Sequence, residues 1–238
     1  MPTDPMLSVR DLNAHYGQAH ILHDVAIDLG EGEIVALLGR NGAGKSTIMK
    51  SVMGLLARRK GAISFRGRDV AAMRPHQISR LGLAYVPEER RIFSGLTVLE
   101  NLEVGRRVSP DTKNPWTVER LFALFPNLEE RQNQDGARLS GGEQQMLTVA
   151  RALMGNPRAI LLDEPSEGLA PIIVEHMAAA VKALKSEGLS ILLSEQNLFF
   201  ANEVSDRAYV VERGRVRFEG PIGAIMADEA IRRAYLAV

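Results

Sequence analysis

A glycine-rich stretch near residue 40 is the first part of this sequence with side chains suited to chemistry. It fits the P-loop pattern of glycine, four residues and Gly-Lys-Ser, and it consists of Gly39, Arg40, Asn41, Gly42, Ala43, Gly44, Lys45 and Ser46, followed by Thr47. Such a loop turns its backbone N–H groups toward phosphate oxygens, and the next helix adds its positive end. We expect Lys45 to bridge the β- and γ-phosphates and Ser46 to bind Mg²⁺. An ordinary glycine turn is the alternative.

Two adjacent carboxylates, Asp163 and Glu164, end an apolar run that begins at Ile160. Ligands collect at the carboxyl ends of strands in open parallel sheets, so this position suits a reactive pair. Asp163 is expected to hold Mg²⁺ through its hydration shell. Glu164 could accept a proton from an attacking water. An acidic strand end is common by itself, and only the preceding P-loop pattern makes the catalytic interpretation the stronger one.

A third polar segment precedes the helical run of residues 146–154. It consists of Leu139, Ser140, Gly141, Gly142, Glu143 and Gln144. Ser140 followed by Glu143 predicts a capping box at a helix N-terminus. A serine and two glycines there also leave N–H donors open to a phosphate, so both a structural and a binding role are predicted.

The surrounding pattern predicts the elements that position these residues. Residues 33–39 form a continuous apolar run typical of a buried parallel strand, and helical spacing begins at Ser46. Leu7, Val9, Val25, Ile27 and Leu29 alternate with polar residues, as in an antiparallel sheet. We further predict strands at 83–86, 159–162 and 190–193, a hairpin at 208–219 turning at 213–214, helices at 116–125, 172–185 and about 222–236, and a loop at 109–115.

The predicted fold is α/β. It has a P-loop nucleotide-binding core with a mostly parallel sheet, an N-terminal antiparallel β subdomain and an inserted α-helical subdomain. Residues 1–238 would form one domain. Within it, residues 1–87 and 156–238 would form the core, and residues 88–155 the helical insertion that carries the third segment.

The amino-acid composition argues against several classes of function and site. The 29 Lys and Arg residues balance the 29 Asp and Glu residues, which argues against nucleic acid as a partner. Cysteine is absent, so disulfides and thiolate metal sites are excluded. Residues 1–10 do not have the pattern of a signal peptide, so we expect none there, and no apolar run approaches the roughly 20 residues that cross a bilayer. Any membrane role is therefore expected to act through a partner.

Together with the P-loop and Asp-Glu-Pro, the segment Leu-Ser-Gly-Gly-Glu-Gln-Gln closely resembles the signature of the ABC ATPases. The resemblance covers nearly the whole chain. It implies a head-to-tail dimer in which ATP lies between the P-loop of one cassette and the signature of the other. It also implies that Tyr16 stacks on adenine, although a core tyrosine at a strand end is an alternative. Residues 166–171 resemble the loop that communicates across the dimer.

Two residues depart from the common family pattern, and they indicate a subfamily. Glu88 stands where most cassettes have a glutamine that senses Mg²⁺ and the membrane partner, and Gln196 stands where most have a histidine that contacts the γ-phosphate. An amide can donate a hydrogen bond but carries no positive charge. Both departures resemble one of the two ATPase subunits of branched-chain amino-acid importers. Importers of urea and amides belong to the same wider group.

This resemblance implies ATP and Mg²⁺ as ligands, places Glu88 at the nucleotide and at Mg²⁺, and makes Gln196 a catalytic residue beside Glu164. It implies a second ATPase subunit, of different or identical sequence, two transmembrane permease subunits and, indirectly, an extracytoplasmic substrate-binding protein. The chain would lie peripherally on the cytoplasmic face of the membrane. A soluble ABC ATPase acting on DNA or ribosomes and a poorly hydrolysing partner subunit are the alternatives. The five histidines and the charge runs at 58–60 and 88–91 are interpreted as surface or loop features.

Overall fold

Two β-sheets lie at the centre of the computed structural model, which describes residues 4–107 and 114–236. The strands are β1 (Leu7–Tyr16), β2 (Ala19–Leu29), β3 (Ile34–Leu38), β4 (Arg58–Phe65), β5 (Arg68–Asp69), β6 (Leu83–Val86), β7 (Ala159–Asp163), β8 (Ser190–Glu195), β9 (Arg207–Glu212) and β10 (Arg215–Pro221). The smaller sheet has the order β2-β1-β4-β5, and the larger one has the order β10-β9-β3-β8-β7-β6.

Helices connect and cover the strands. They are α1 (Lys45–Val52), α2 (Pro75–Arg80), α3 (Val98–Gly105), α4 (Val118–Leu124), α5 (Pro126–Glu129), α6 (Gly141–Leu153), α7 (Pro171–Ser186), α8 (Leu198–Val204), α9 (Ile222–Ala227) and α10 (Glu229–Ile231). A 3₁₀ turn covers Gly136–Arg138, and a π-helical turn covers Arg232–Leu236. None of the helices in the described ranges combines the length and the apolar character needed to cross a membrane.

The smaller sheet is antiparallel, as its period-two pattern predicts. Leu7 pairs with Leu29 and Val9 pairs with Ile27, so the apolar side chains of both strands share one buried face. Alternation in sequence becomes a buried face because successive side chains on a strand point to opposite sides.

The larger sheet is mostly parallel, and its central strands are buried along their whole length. β3 pairs in parallel with both β8 and β9, while β7 lies between β8 and β6. Continuous apolar strands suit this sheet because both of its faces are covered, one by helices and the other by α1 and the smaller sheet. The carboxyl ends of β3, β7 and β8 therefore meet at one edge, where the three loops of the site begin.

The helical segment and the sheet share one apolar core. Leu121 and Leu147 from the helices lie in the same cluster as Ile160, Leu193 and other strand residues. Because burial of apolar surface is the main stabilising term, this continuity ties the helices to the sheet. The division of the chain into a core (residues 1–87 and 156–238) and a helical insertion (residues 88–155) therefore remains a proposal.

Three predictions of local structure are corrected. The predicted closing helix is broken at Asp228, whose side chain accepts the N–H of Ile231 and caps a new turn. The helix expected from residue 116 begins only after Thr117, which caps α4. Arg59 lies in β4 instead of a loop, and its partly buried guanidinium donates to the carbonyls of Leu56 and Ala71. Of the predicted loop at 109–115, residues 109–113 lie outside the described residues.

The turn between β9 and β10 joins the two sheets at the P-loop. Gly214 donates its N–H to the carbonyl of Ala43 at 2.7 Å and accepts the N–H of His23 at 2.9 Å. It has a φ of +71°, and a Cβ added there would lie 1.7 Å from the carbonyl oxygen of Ile21. Only glycine fits this crossing point.

We expect Gly214→Ala to lower the free energy of unfolding by about 2 to 5 kcal/mol, because left-handed strain and steric overlap add. Gly32→Ala is the matched control. Gly32 has a φ of +64° with nothing within 4 Å of an added Cβ, so it should cost only about 1 to 2 kcal/mol. Urea unfolding of both variants measures the difference, and equal losses would contradict the proposed close contact.

Candidate functional site

The glycine-rich loop leads from β3 directly into α1, as predicted. Gly44, with a φ of +111°, occupies the N-cap of α1, and no side chain caps this helix end. The first N–H groups of a helix need partners outside it. An uncapped helix N-terminus behind a glycine loop fits the phosphates of a nucleotide.

Lys45 is buried at the base of this loop, with a relative exposure of 3%. Its ammonium donates to the carbonyl oxygens of Gly39 at 2.7 Å and Arg40 at 3.3 Å. It also forms an ion pair with Glu164, at 3.1 Å between Nζ and Oε1. The structure thus brings the predicted phosphate-binding lysine and the predicted base into direct contact.

Asp163 accepts three hydroxyl donors and is 1% exposed. Ser46 and Ser194 donate to Oδ1 at 2.9 and 2.6 Å, and Tyr85 donates to Oδ2 at 2.9 Å. Burial, followed by the negative charge of Asp163, raises the pKa of Tyr85 well above its ordinary value. The phenol therefore remains a donor at neutral pH. No motif in the sequence indicated a role for Tyr85 or Ser194.

Glu164 is also buried and has a φ of +47°. Its N–H donates to the carbonyl of Ser194, and its Oε2 accepts the amide of Gln196 at 2.9 Å. Burial acts to raise the pKa of Glu164, but the hydrogen bond from Gln196 and the charge of Lys45 outweigh it and lower the pKa below its ordinary value. The carboxylate is therefore ionised and able to accept a proton.

A cavity of about 460 Å³ lies over these groups, which is within the usual size range of ligand sites. It is lined by Tyr16, Ile21, Asn41, Gly42, Ala43, Gly44, Lys45, Ser46, Thr47, Glu88, Glu164 and Glu167. Gly39 is buried below it, and Arg40 is exposed. Tyr16, at 47% exposure, is not a core residue, contrary to the alternative interpretation.

Glu167 is a further acidic residue at this cavity. Burial and then the charges of Glu164 and Glu88 raise the pKa of Glu167 to about 7. Glu88 is exposed and forms a hydrogen bond with Glu167. Glu167 therefore changes its protonation state near neutral pH, a feature that no motif in the sequence indicated.

Few residues of the site could hold Mg²⁺, and each of them would bind the ion through an oxygen atom. Within residues 4–107 and 114–236, no group of three or more His, Cys, Asp or Glu side chains is arranged to hold a metal. Mg²⁺ is usually held by one or two protein oxygens together with water and substrate phosphates. The adjacent Ser46 hydroxyl and Asp163 carboxylate fit that pattern.

The signature segment (residues 139–144) lies outside the P-loop cavity. The predicted capping box is confirmed: the Ser140 N–H donates to Glu143 Oε2 at 2.7 Å, and the Glu143 N–H donates to Ser140 Oγ at 3.3 Å. Gln144 donates to the carbonyls of Gly136 and Leu139. None of the residues that line the P-loop cavity belongs to this segment.

The five histidines form no metal centre in the described parts of the chain. The rings of His15 and His20 stack with centroids 4.2 Å apart, and His23 follows at 3.9 Å from His20. This arrangement agrees with a local structural role.

Comparisons with known proteins connect this geometry to a family. The family model described as "ABC transporter" matches residues 22–167. The chain is 42% identical to the high-affinity branched-chain amino acid transport ATP-binding protein BraG of Pseudomonas aeruginosa over 97% of the chain and 99% of BraG. It is 35% identical to a probable branched-chain amino acid transport ATP-binding protein, LivF, of Archaeoglobus fulgidus, over 98% and 99%.

A further relative and a solved structure are also similar to this chain. The lipopolysaccharide export system ATP-binding protein LptB of Escherichia coli is 34% identical over 97% of the chain and 96% of LptB. A solved structure of an ATP-binding subunit of an ABC transporter superposes with a TM-score of 0.81 at 32% identity, covering 97% of this chain and 96% of that one.

The buried Lys45–Glu164 pair leads to a stability prediction. Lys45→Met should cost about 3 to 5 kcal/mol of unfolding free energy without nucleotide, because Glu164 keeps a buried charge without its cation. Adding Glu164→Gln should recover most of the loss. Lys182→Met is the control: its pair with Glu203 is exposed, so its loss should stay below about 1 kcal/mol. Urea unfolding decides, and equal losses in Lys45→Met and Lys182→Met would contradict the prediction.

Proposed function

Because the chain belongs to the ABC transporter family and is an ATPase, we propose that it powers an importer of branched-chain amino acids. The observation that carries the proposal is Glu164, an ionised, buried carboxylate held between Lys45 of the P-loop and Gln196. The cargo is supported by the similarity to BraG and LivF across nearly the full length. Glu88 and Gln196, the two departures from the common family pattern, agree with it.

The proposed roles follow the contacts. Residues 39–47 bind the phosphates, Lys45 neutralises them, and Tyr16 stacks on adenine, with Glu88 at the rim. Ser46 and Asp163 would hold Mg²⁺, and Glu88 would sense whether the ion is bound. When bound, the ion would neutralise charge on the phosphate oxygens. Glu164 accepts a proton from the water that attacks the γ-phosphorus as the bond to the β-phosphate oxygen breaks. Gln196 orients Glu164 for that transfer.

A second cassette is part of the proposal. ATP would lie between the P-loop of one cassette and the signature residues of the other: Leu139, Ser140, Gly141, Gly142, Glu143 and Gln144. The separation of this segment from the P-loop cavity within one chain supports the arrangement, because a single chain then offers each half of the site to a different nucleotide. We propose a heterodimer with a different ATPase chain, with a homodimer as the alternative.

The remaining partners are two transmembrane permease subunits and, through them, an extracytoplasmic substrate-binding protein. The chain would act peripherally at the cytoplasmic face of the membrane, with the helices of residues 88–155 facing the permease. The balanced charge of the chain argues against nucleic acid.

The cargo requires its own test because LptB is also similar. The assembled complex in proteoliposomes, with its binding protein, should show ATP-dependent uptake of radiolabelled leucine. Uptake of urea or an amide instead would keep the importer and replace the cargo. Extraction of lipopolysaccharide without any uptake would overturn the importer proposal.

Glu164→Gln in this subunit alone should lower steady-state ATP hydrolysis by the assembled complex at least about 100-fold, because the general base is lost. ATP binding, measured by equilibrium dialysis, should be retained. Glu203→Gln, which alters an exposed ion pair, is the control and should leave turnover unchanged. If Glu164→Gln also leaves turnover unchanged, the site is regulatory and not hydrolytic.

The isolated chain should hydrolyse ATP slowly, since a composite site needs a second cassette. Its specific activity should rise with protein concentration and rise further when the companion ATPase is added. Measuring phosphate release over a hundredfold range of concentration tests this expectation. Fast turnover that is independent of concentration would contradict it.

A further inference from the structure

Glu195, the last residue of β8, is a buried carboxylate that has no role in the site as described above. It is 2% exposed. Its Oε1 accepts the backbone N–H of Ser166 at 3.0 Å, and its Oε2 accepts those of Gln196 and Asn197 at 3.2 and 3.1 Å. No lysine or arginine forms a salt bridge with it within the described parts of the chain.

A buried charge without a cation is costly unless hydrogen bonds stabilise it. Burial raises the pKa of Glu195 to about 6, while hydrogen bonds from Ser166 and Asn197 act in the opposite direction. The side chain is therefore mostly ionised at neutral pH, and both oxygens act as acceptors.

The donors to Glu195 belong to two different loops. Ser166 lies in the loop after β7, two residues beyond Glu164, whereas Gln196 and Asn197 begin the loop after β8. The Glu164–Gln196 hydrogen bond, at 2.9 Å, spans the same two loops. Asn197 in turn caps α8 by accepting the N–H of Phe200, which fixes the second loop to a helix.

We propose that Glu195 is a positioning residue for ATP hydrolysis: its carboxylate clamps the loop after β7 to the loop after β8 and so holds Gln196 against Glu164. The inference rests on the proposed role of Glu164 as the base. It assigns to Glu195 no contact with nucleotide or water.

The clamp depends on two acceptor oxygens. A glutamine at position 195 has nearly the same shape but keeps one oxygen and presents an NH₂ donor on the other side. That donor would face a backbone N–H, either of Ser166 or of Gln196 and Asn197. One loop would therefore be released while the other stays bound.

The test is Glu195→Gln in the assembled complex. We expect kcat to fall about 10- to 100-fold, because small misplacements of catalytic groups have effects of this size. KM for ATP and the affinity for ADP should change less than about twofold, since the P-loop is not altered. A fall in affinity with unchanged kcat would overturn the proposal.

Glu33→Gln is the matched control. Glu33 is a partly buried carboxylate that pairs with Arg207 and accepts the N–H of Gly30. It immediately precedes β3, at the end of that strand opposite the P-loop. This variant should lose stability in urea and keep its kcat, whereas equal kcat losses in both variants would show that Glu195 has only a structural role.

A double-variant cycle separates positioning from general damage. In a Gln196→Ala background, Glu195→Gln should reduce kcat less than about threefold further, because both changes disturb the same contact. Fully additive losses would overturn the proposal. If Glu195→Gln does not fold, Glu195→Asp replaces it: one methylene shorter, it should show the same kcat loss, and full activity in this variant would overturn the proposal.

The outcomes distinguish this inference from the proposed function. If Glu164→Gln leaves turnover intact, the base assignment fails and the clamp has no role in hydrolysis. If Glu164→Gln abolishes turnover while Glu195→Gln leaves kcat unchanged, only the positioning role fails.

Discussion

Buried negative charge at one edge of the parallel sheet is the constraint on which the site depends. Asp163, Glu164 and Glu195 are each at most 7% exposed, and they lie at the ends of two neighbouring strands. Little of their surface is exposed to water, so the protein must supply compensating dipoles and charge. One ammonium, several hydroxyls, one amide and a set of backbone N–H groups do so, and each carboxylate is held by a different combination of them.

These different surroundings give each carboxylate a different character. Asp163 accepts neutral hydroxyl donors on both of its oxygens. Glu164 is held by a cation and an amide that lower its pKa, and Glu195 is held by backbone N–H groups and by the side chain of Ser166. The sheet makes this possible because parallel pairing places Ser194 opposite Asp163 and Glu195 opposite Leu38, just before the P-loop.

The sequence predicted the features that are encoded locally. Both sheets, the loop from β3 into α1, the capping box at Ser140 and the acidic strand end follow from spacing and residue type over short stretches. Tyr85, Ser194 and Glu195 could not be found this way, because their importance comes from strand order, which places them beside Asp163 or between two loops. The closing helix was predicted too long because a single capping aspartate, Asp228, outweighs a helical pattern that continues beyond it.

The turn between β9 and β10 has a practical consequence. Exposed hairpin turns are usually the safest places to insert an affinity tag, a fluorescent label or a fused domain. Here the turn is bonded through Gly214 to the loop that would bind phosphate and to a strand of the other sheet. Sequence inserted at that position would displace the glycine-rich loop at residues 39–47, so a reporter for this chain belongs on another surface loop.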